Sequence, residues 1–429
     1  MIDRKKRPDI RPIEQIDIQE PLTQIMPNGI PLHIIQAGSE EVVRMDILIH
    51  AGIWHQTCPL QAAFTNRMLR EGTLQMDSAK ISERLDYYGA WVELTATMNC
   101  NILTLYTLNK YFRQTLSIVG NMMKEPNFPE KELGITLNTN KQQFLINEQK
   151  TKIIAHKAFS KNLFGEQHPC GKFAQATDYD KLTSEHLKEF YDKHYHSANC
   201  SIYLSGMVNK VIIATVENEF GNQAWGTPQP RIPLDFLPVN STPEKNIFVE
   251  HPTAIQSALR MGNICIPQND NDFGKVRVLI TLLGGYFGSR LINNIREDKG
   301  YTYGIAAGLI PYPHQSVLTI QTETANEFVK ATIQETYKEI ERLQNEPVEQ
   351  QELDMVKNYM LGEFCRNYEG AFSLANFWIN LETAGLNKEY YIRALSDIKE
   401  ITQEEILHLA QKYLMPHKLT EVVVGKKVK

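Results

Sequence analysis

One pattern of segments occurs twice in the sequence, and this repeat restricts the possible folds more than any other feature. In each half, a helical segment ends at a glycine, two strand-like segments follow, and a long amphipathic helix ends at a Glu-Pro pair. A second helix with a threonine cap and a strand ending in glycine complete each half. The matching landmarks are Gly89 and Gly300, Pro126 and Pro347, Thr183 and Thr402, and Gly206 and Gly425. Because they follow the same order about 210 to 220 residues apart, the sequence predicts two copies of one unit.

A segment without helical or strand periodicity separates the two copies. Residues 221–245 are rich in Pro, Gly, Gln and Thr, which is typical of an extended linker. We therefore predict an N-terminal domain over residues 1–220, a linker over 221–245 and a C-terminal domain over 246–429. Each copy has two consecutive strands rather than strict strand–helix alternation. This pattern favours an α+β fold, in which helices cover a sheet, over a doubly wound fold.

Composition and charge argue against several classes of function. With 22% charged residues, a net charge of −5 and no basic stripe, the chain is not expected to bind nucleic acid. The basic run at residues 4–7 is expected to be a solvated arm. No apolar run approaches the roughly 18 residues of a membrane span, and the N-terminal segment lacks a hydrophobic signal core. With six scattered cysteines, expected to be reduced, these features predict a cytoplasmic protein without membrane contact.

The first half contains a sequence frame in which a metal motif is altered. A buried-looking strand and turn at residues 46–52 lead into a helical stretch that closes on residues 68–73, Met-Leu-Arg-Glu-Gly-Thr. This frame resembles the pitrilysin and mitochondrial-processing-peptidase family of zinc metallopeptidases, the inverzincins. Its members read His-x-x-Glu-His directly before a Met-Leu-x-x-Gly-Thr sequence. In that motif two histidines on one helix face bind zinc, and the glutamate activates the bound water.

The residues at the motif positions cannot carry that chemistry. The resemblance places the first histidine at Ala63, the glutamate at Asn66 and the second histidine at Arg67. Ala63 has no donor atom, Asn66 is a poor base, and the Arg67 guanidinium stays protonated and repels a dication. The region where the family has its third ligand, residues 136–144, contains no acidic residue, and Glu148 is out of register. We therefore expect this chain to bind no metal and no other cofactor.

The second half keeps a feature of the same family. A Gly-Gly, Ser-Arg-Leu run at residues 284–291 leads to Arg296 and, seven positions on, to Tyr303. The resemblance implies that these two side chains reach across a cavity and donate hydrogen bonds to the substrate carbonyl, where they stabilise developing negative charge. The alternative is structural: Arg296 would pair with Glu297 or Asp298, and Tyr303 would be an aromatic residue of a sheet.

Four histidines remain as weaker metal candidates. His194 and His196 are the only tight pair, but a spacing of two at a helix end points the rings apart. His156 falls within a helical segment, and His168 lies in a turn before a proline. We expect all four to be packing residues.

The resemblance covers nearly the whole chain and implies an architecture and a function. The implied fold is α+β, with two homologous domains that face each other across a cavity, each an antiparallel-rich sheet covered by helices. Loss of the zinc motif with retention of the Arg-Tyr pair predicts the non-catalytic subunit of a heterodimeric zinc endopeptidase. Zinc would then be bound by a homologous partner subunit with the intact His-x-x-Glu-His motif, and the substrate would be a peptide.

Two other functions stay open from the sequence. One is a structural scaffold of the same fold, and the other is a cavity that binds peptides without cleaving them. Homodimer formation by the isolated chain also stays open.

Overall fold

Two mixed β-sheets, each covered by helices, form the computed structural model of this chain. It describes residue 16 and residues 18–232, 237–239 and 243–427. The basic run at residues 4–7 and part of the predicted linker lie outside the described residues. The predicted α+β class is confirmed. Among the helices of the described ranges, none combines the length and the apolar character needed to cross a membrane.

The first sheet has six strands in the order β1-β2-β6-β3-β5-β4. Its strands are β1 Leu22–Ile25, β2 Pro31–Gln36, β3 Val42–Ile49, β4 Trp91–Ala96, β5 Asn101–Leu108 and β6 Cys200–Gly206. The helices of this half are α1 Gln61–Met68, α2 Ser78–Tyr87, α3 Phe112–Lys124, α4 Glu130–Asn147, α5 Thr151–Phe164, α6 Asp178–Lys181, α7 Ser184–His194 and α8 Lys210–Val216. A π-helical segment, Glu217–Gly221, follows α8.

The second sheet has five strands in the order β7-β11-β8-β10-β9. Its strands are β7 Asn246–Glu250, β8 Gln256–Cys265, β9 Thr302–Tyr312, β10 Gln315–Ala325 and β11 Thr420–Gly425. The helices are α9 Phe273–Ile280, α10 Val329–Asn345, α11 Gln350–Asn367, α12 Ala371–Thr383, α13 Lys388–Glu400 and α14 Gln403–Tyr413. Two π-helical segments, Thr281–Gly285 and Ile292–Asp298, lie between α9 and β9.

The two sheets repeat one topology. Five strands of the first sheet, in the order β2-β6-β3-β5-β4, correspond to β7-β11-β8-β10-β9 of the second. In each sheet a single pair is parallel, β2 with β6 and β7 with β11, and the other pairs are antiparallel. The equal strand order is the result that the internal repeat predicts.

The landmark residues occupy equivalent places in the two copies. Gly89 and Gly300 follow helical segments with φ of +61° and +66°, a left-handed conformation that glycine adopts without strain. Thr402 caps α14 in a capping box with Glu405, as the sequence pattern predicts. Thr183 caps α7 in the same way, except that the ring of His186 takes the place of the glutamate.

Each half also contributes one helix to the other half. Helix α5 packs on β8 and β11 of the second sheet, where Phe159 joins an apolar cluster with Ala258 and Val422. Helix α12 packs on β2 and β6 of the first sheet, where Leu374 joins Tyr203 and other buried residues. This exchange, which the sequence did not predict, places a cavity between α5 and the second sheet.

Candidate functional site

Helix α1 carries the three altered motif positions. It begins after Leu60, which has a left-handed φ of +71°. The side-chain amide of its first residue, Gln61, makes hydrogen bonds through both its oxygen and its nitrogen. The backbone N–H of Thr57 donates to Gln61 Oε1 at 2.8 Å, and Gln61 Nε2 donates to the carbonyl oxygen of His186 at 2.9 Å. The helix contacts β4 and β5, so its residues 63–67 lie between the first sheet and α4.

Asn66 is a buried structural residue. Its Nδ2 donates to the carbonyl oxygens of Thr95 at 3.0 Å and Ile102 at 3.2 Å, on β4 and β5. The hydroxyl of Tyr195 donates to Asn66 Oδ1 at 3.3 Å. With 2% of its surface exposed, the amide joins α1 to the sheet and has no acidic proton to exchange.

Arg67 and Ala63 lie on the same helix, one turn apart. Arg67 Nη1 donates to Asn140 Oδ1 on α4, so the segment in which the family has its third metal ligand lies beside the motif positions. The methyl group of Ala63 lines a cavity of about 330 Å³ with Trp54 and Phe173.

This donor set does not fit a zinc ion, because it offers a methyl group, an engaged amide and a cation. In the described ranges no three His, Cys, Asp or Glu residues form a group able to hold a metal. Glu148, which directly follows the last residue of α4, pairs with Lys157 at 2.5 Å.

The four remaining histidines make packing contacts, as expected. The ring of His194 lies 4.6 Å from that of Phe190, and burial lowers its pKa to about 4, with further lowering by His55. His168 stacks on Phe164, and its Nδ1 accepts from the backbone N–H of Cys170 at 3.1 Å. His196 is 1% exposed. His156 lies edge-on to Phe173, with 5.5 Å between the ring centroids, and it also lines the cavity beside α5.

Arg296 and Tyr303 are both accessible to solvent. Arg296 lies in the π-helical segment Ile292–Asp298, where its Nε is 3.3 Å from Glu297 Oε1, the ion pair of the structural alternative. Its guanidinium also lies 5.0 Å from the ring centroid of Phe287. Tyr303 is on the edge strand β9 and is 92% exposed, so it is not a packed aromatic residue of the sheet. In the described part of the chain, no hydrogen bond or ion pair joins either residue to α1.

The cavity beside α5 has a volume of about 420 Å³ and lies between the two halves. Residues of α5, β8, β9 and β10 line it, among them His156, Arg260 and Glu323. Gly304 also lines it, next to Tyr303, but Arg296 and Tyr303 are not among its lining residues. Their action on a substrate therefore stays a prediction.

The sequence also did not predict a polar cluster where α12 packs on the first sheet. Glu382 accepts hydrogen bonds from Ser201 Oγ at 2.7 Å and Tyr203 Oη at 2.6 Å, and His50 Nε2 lies 3.1 Å from its Oε1. Burial alone would raise the pKa of Glu382, but the hydrogen bonds from His50, Tyr203 and Ser201 outweigh burial and hold it at about 2. The spacing of two between Ser201 and Tyr203 places both on one face of β6, but the sequence does not reveal which helix covers that face.

Known proteins resemble this chain in sequence and in fold. The family model described as "Peptidase M16 inactive domain" matches residues 181–360. This match makes residues 181–360, less than half of the chain, similar to a domain of M16 peptidases. This is the family expected from the motif frame and the Arg-Tyr segment.

Known relatives match most of the chain at low identity. The "Uncharacterized zinc protease YmxG" of Bacillus subtilis is 24% identical over 81% of this chain and 84% of the relative. The "Non-peptidase homolog YmxG" of Helicobacter pylori is 22% identical over 85% of this chain and 84% of the relative. A crystal structure of a peptidase M16 inactive domain from Pseudomonas fluorescens has a TM-score of 0.82 and 23% identity, and covers 96% of this chain and 99% of that one. At this identity the structure shows a shared fold.

Proposed function

We propose that this chain is the non-catalytic subunit of a two-chain M16 zinc endopeptidase. A homologous partner with the intact His-x-x-Glu-His motif would hold the zinc, and this chain would contribute Arg296 and Tyr303 to the same substrate. Its substrates would be peptides or unfolded segments.

The proposal rests on the residues that occupy the three motif positions of α1. Asn66, at the position of the family's glutamate, makes three hydrogen bonds that join α1 to neighbouring elements. Arg67, at the position of a histidine, bonds to Asn140, and Ala63 offers no ligand. The match to an M16 inactive-type domain and the resemblance to a relative named a non-peptidase homolog agree with a chain that does no hydrolysis alone.

The exposure of the Arg-Tyr pair supports a role in trans. The ion pair between Arg296 and Glu297 joins two side chains that are 37% and 50% exposed, and such pairs contribute little stability. Tyr303 has its hydroxyl in solvent on an unpaired strand edge. A charged guanidinium and a phenol are both suited to donate to a developing oxyanion.

The test is peptidase activity after mixing with a zinc-bearing M16 partner. We expect activity only in the mixture, and we expect Arg296→Ala or Tyr303→Phe to lower kcat by on the order of 10²-fold, the typical effect of losing one oxyanion donor. Assembly, measured by analytical ultracentrifugation, should be unchanged. Arg113→Ala on α3 and Tyr87→Phe on α2 change exposed residues of the same types and serve as controls.

A second function, peptide binding without cleavage, is favoured by the cavity between α5 and the second sheet. Assembled mixtures in which Arg296→Ala and Tyr303→Phe both cleave at the wild-type rate would refute the catalytic role. Peptide binding by the isolated chain would then identify this second function, and its absence would leave a structural scaffold.

A further inference from the structure

The wall of the cavity between α5 and the second sheet contains an arginine, Arg260, for which the described residues supply no ion-pair partner. Arg260 lies on β8, half-buried, with its side chain in the wall of the cavity. In the described part of the chain its guanidinium makes no hydrogen bond and no ion pair. Burial lowers the pKa of Arg260, with Tyr312 acting in the opposite direction, yet a guanidinium stays charged at neutral pH. A half-buried charge of this kind is stabilised when an anion enters the cavity.

A second unused donor lines the same cavity. His156 on α5 has a buried Nδ1 with no hydrogen-bond partner among the described residues. Burial, followed by the charges of Arg260 and Lys157, lowers the pKa of His156 to about 4. At neutral pH its ring is therefore uncharged, and because Nδ1 is closed to solvent, the N–H donor offered to a ligand is that of Nε2. An uncharged donor beside a guanidinium suits an acceptor with two oxygen atoms.

The remaining walls set the size and the polarity of the ligand. Lys152 adds a second positive charge at the exposed side, and Glu323 adds one negative charge. Glu323 lies two residues from Gln321, the cross-strand partner of Arg260, but forms no ion pair with that guanidinium. Ala258, Ile305 and their neighbours supply apolar contact area. A volume of about 420 Å³ falls in the range of small-ligand sites.

We propose that this cavity binds a carboxylate attached to a short apolar group, with Arg260 as the bidentate donor and His156 as the additional donor. Two sources share this chemistry, the free C-terminus of a peptide and a small organic acid. The site is formed by one chain, so it does not depend on a zinc-bearing partner or on the Arg-Tyr pair.

Isothermal titration of the isolated full-length chain tests this site. The probes are acetylated pentaalanine with a free C-terminal carboxylate, the same peptide with a C-terminal amide, and octanoate. We expect the free acid, octanoate or both to bind, and the amide to bind at least about 10-fold more weakly because it cannot accept a charge-assisted pair of hydrogen bonds. Binding of octanoate alone would assign the site to small acids, and binding of the peptide acid would assign it to C-termini.

Substitution of Arg260 tests whether the acid probe binds in this cavity. Arg260→Met should weaken binding of the acid probe by about 10-fold or more, whereas Arg113→Met, an exposed arginine on α3, should leave it unchanged. Arg260→Gln is a second variant if the first does not fold, and the comparison of acid and amide needs no variant. Equal affinity for acid and amide, no binding of any probe, or full affinity in folded Arg260→Met would overturn the proposal.

Discussion

At the scale of single residues, Asn66 stands where the family has its glutamate, and its contribution to stability can be measured. The amide of Asn66 donates to the carbonyl oxygens of Thr95 and Ile102, on β4 and β5. We expect Asn66→Ala to lower the free energy of unfolding by about 1–3 kcal/mol, because both acceptors lose their side-chain donor. Urea unfolding followed by circular dichroism measures this. Asn138→Ala, at an exposed position of α4, should be neutral or slightly stabilising. Equal stability of Asn66→Ala and wild type would show that the amide is not a structural tie.

The sequence shows the loss of donors at residues 63–67, but it does not show what replaced them. Ala63 and Arg67 can be excluded as zinc ligands from their chemistry alone. The hydrogen bonds of Asn66 could not be predicted, because their partners come from β4, β5 and the end of α7, which meet only in the folded chain. The same holds for Arg260, whose place in the cavity wall depends on the packing of α5 on the second sheet.

At the scale of elements, Glu382 makes the contact of α12 with the first sheet dependent on pH. Its pKa in the folded state is about 2, below the usual value of a glutamate. A group whose folded pKa is lowered stabilises the fold above its unfolded pKa, and this contribution is lost as pH falls toward the folded value. We therefore expect wild type to lose more stability than Glu382→Gln between about pH 5 and pH 2.5.

The measurement is the free energy of unfolding in urea at these two pH values. Glu369→Gln, at an exposed position before α12, should show the wild-type pH dependence and is the matched control. A wild-type loss no larger than that of Glu382→Gln would contradict the assignment of the acid-sensitive contact to this carboxylate.

The sequence predicted most elements because their signals are local. Glycines, prolines and capping threonines mark helix ends without reference to the rest of the fold, and both Gly89 and Gly300 occupy the expected turn. The exchange of α5 and α12 between the halves has no local signal. A helix that packs on a distant sheet has the same apolar residues as one that packs on its own sheet.

At the scale of the whole molecule, the halves are held together by the exchanged helices. Phe159 of α5 is 2% exposed, and its ring lies against Gly262 of β8. We expect Phe159→Ala to lower the free energy of unfolding by about 3–5 kcal/mol, the usual effect of truncating a buried aromatic residue. Ile255→Ala, at a position 90% exposed, should change it little. A loss below about 1 kcal/mol in Phe159→Ala would show that the α5 contact is not a main stabilising interface.

The central claim is that this chain has the M16 fold without a zinc site of its own. Zinc analysis of the purified chain after dialysis against buffer tests this claim most directly. Because no set of thiolate, imidazole and carboxylate donors is present at residues 63–67, we expect much less than one zinc per chain. About one tightly held zinc per chain, lost on substitution at Asn66 or Arg67, would contradict the account.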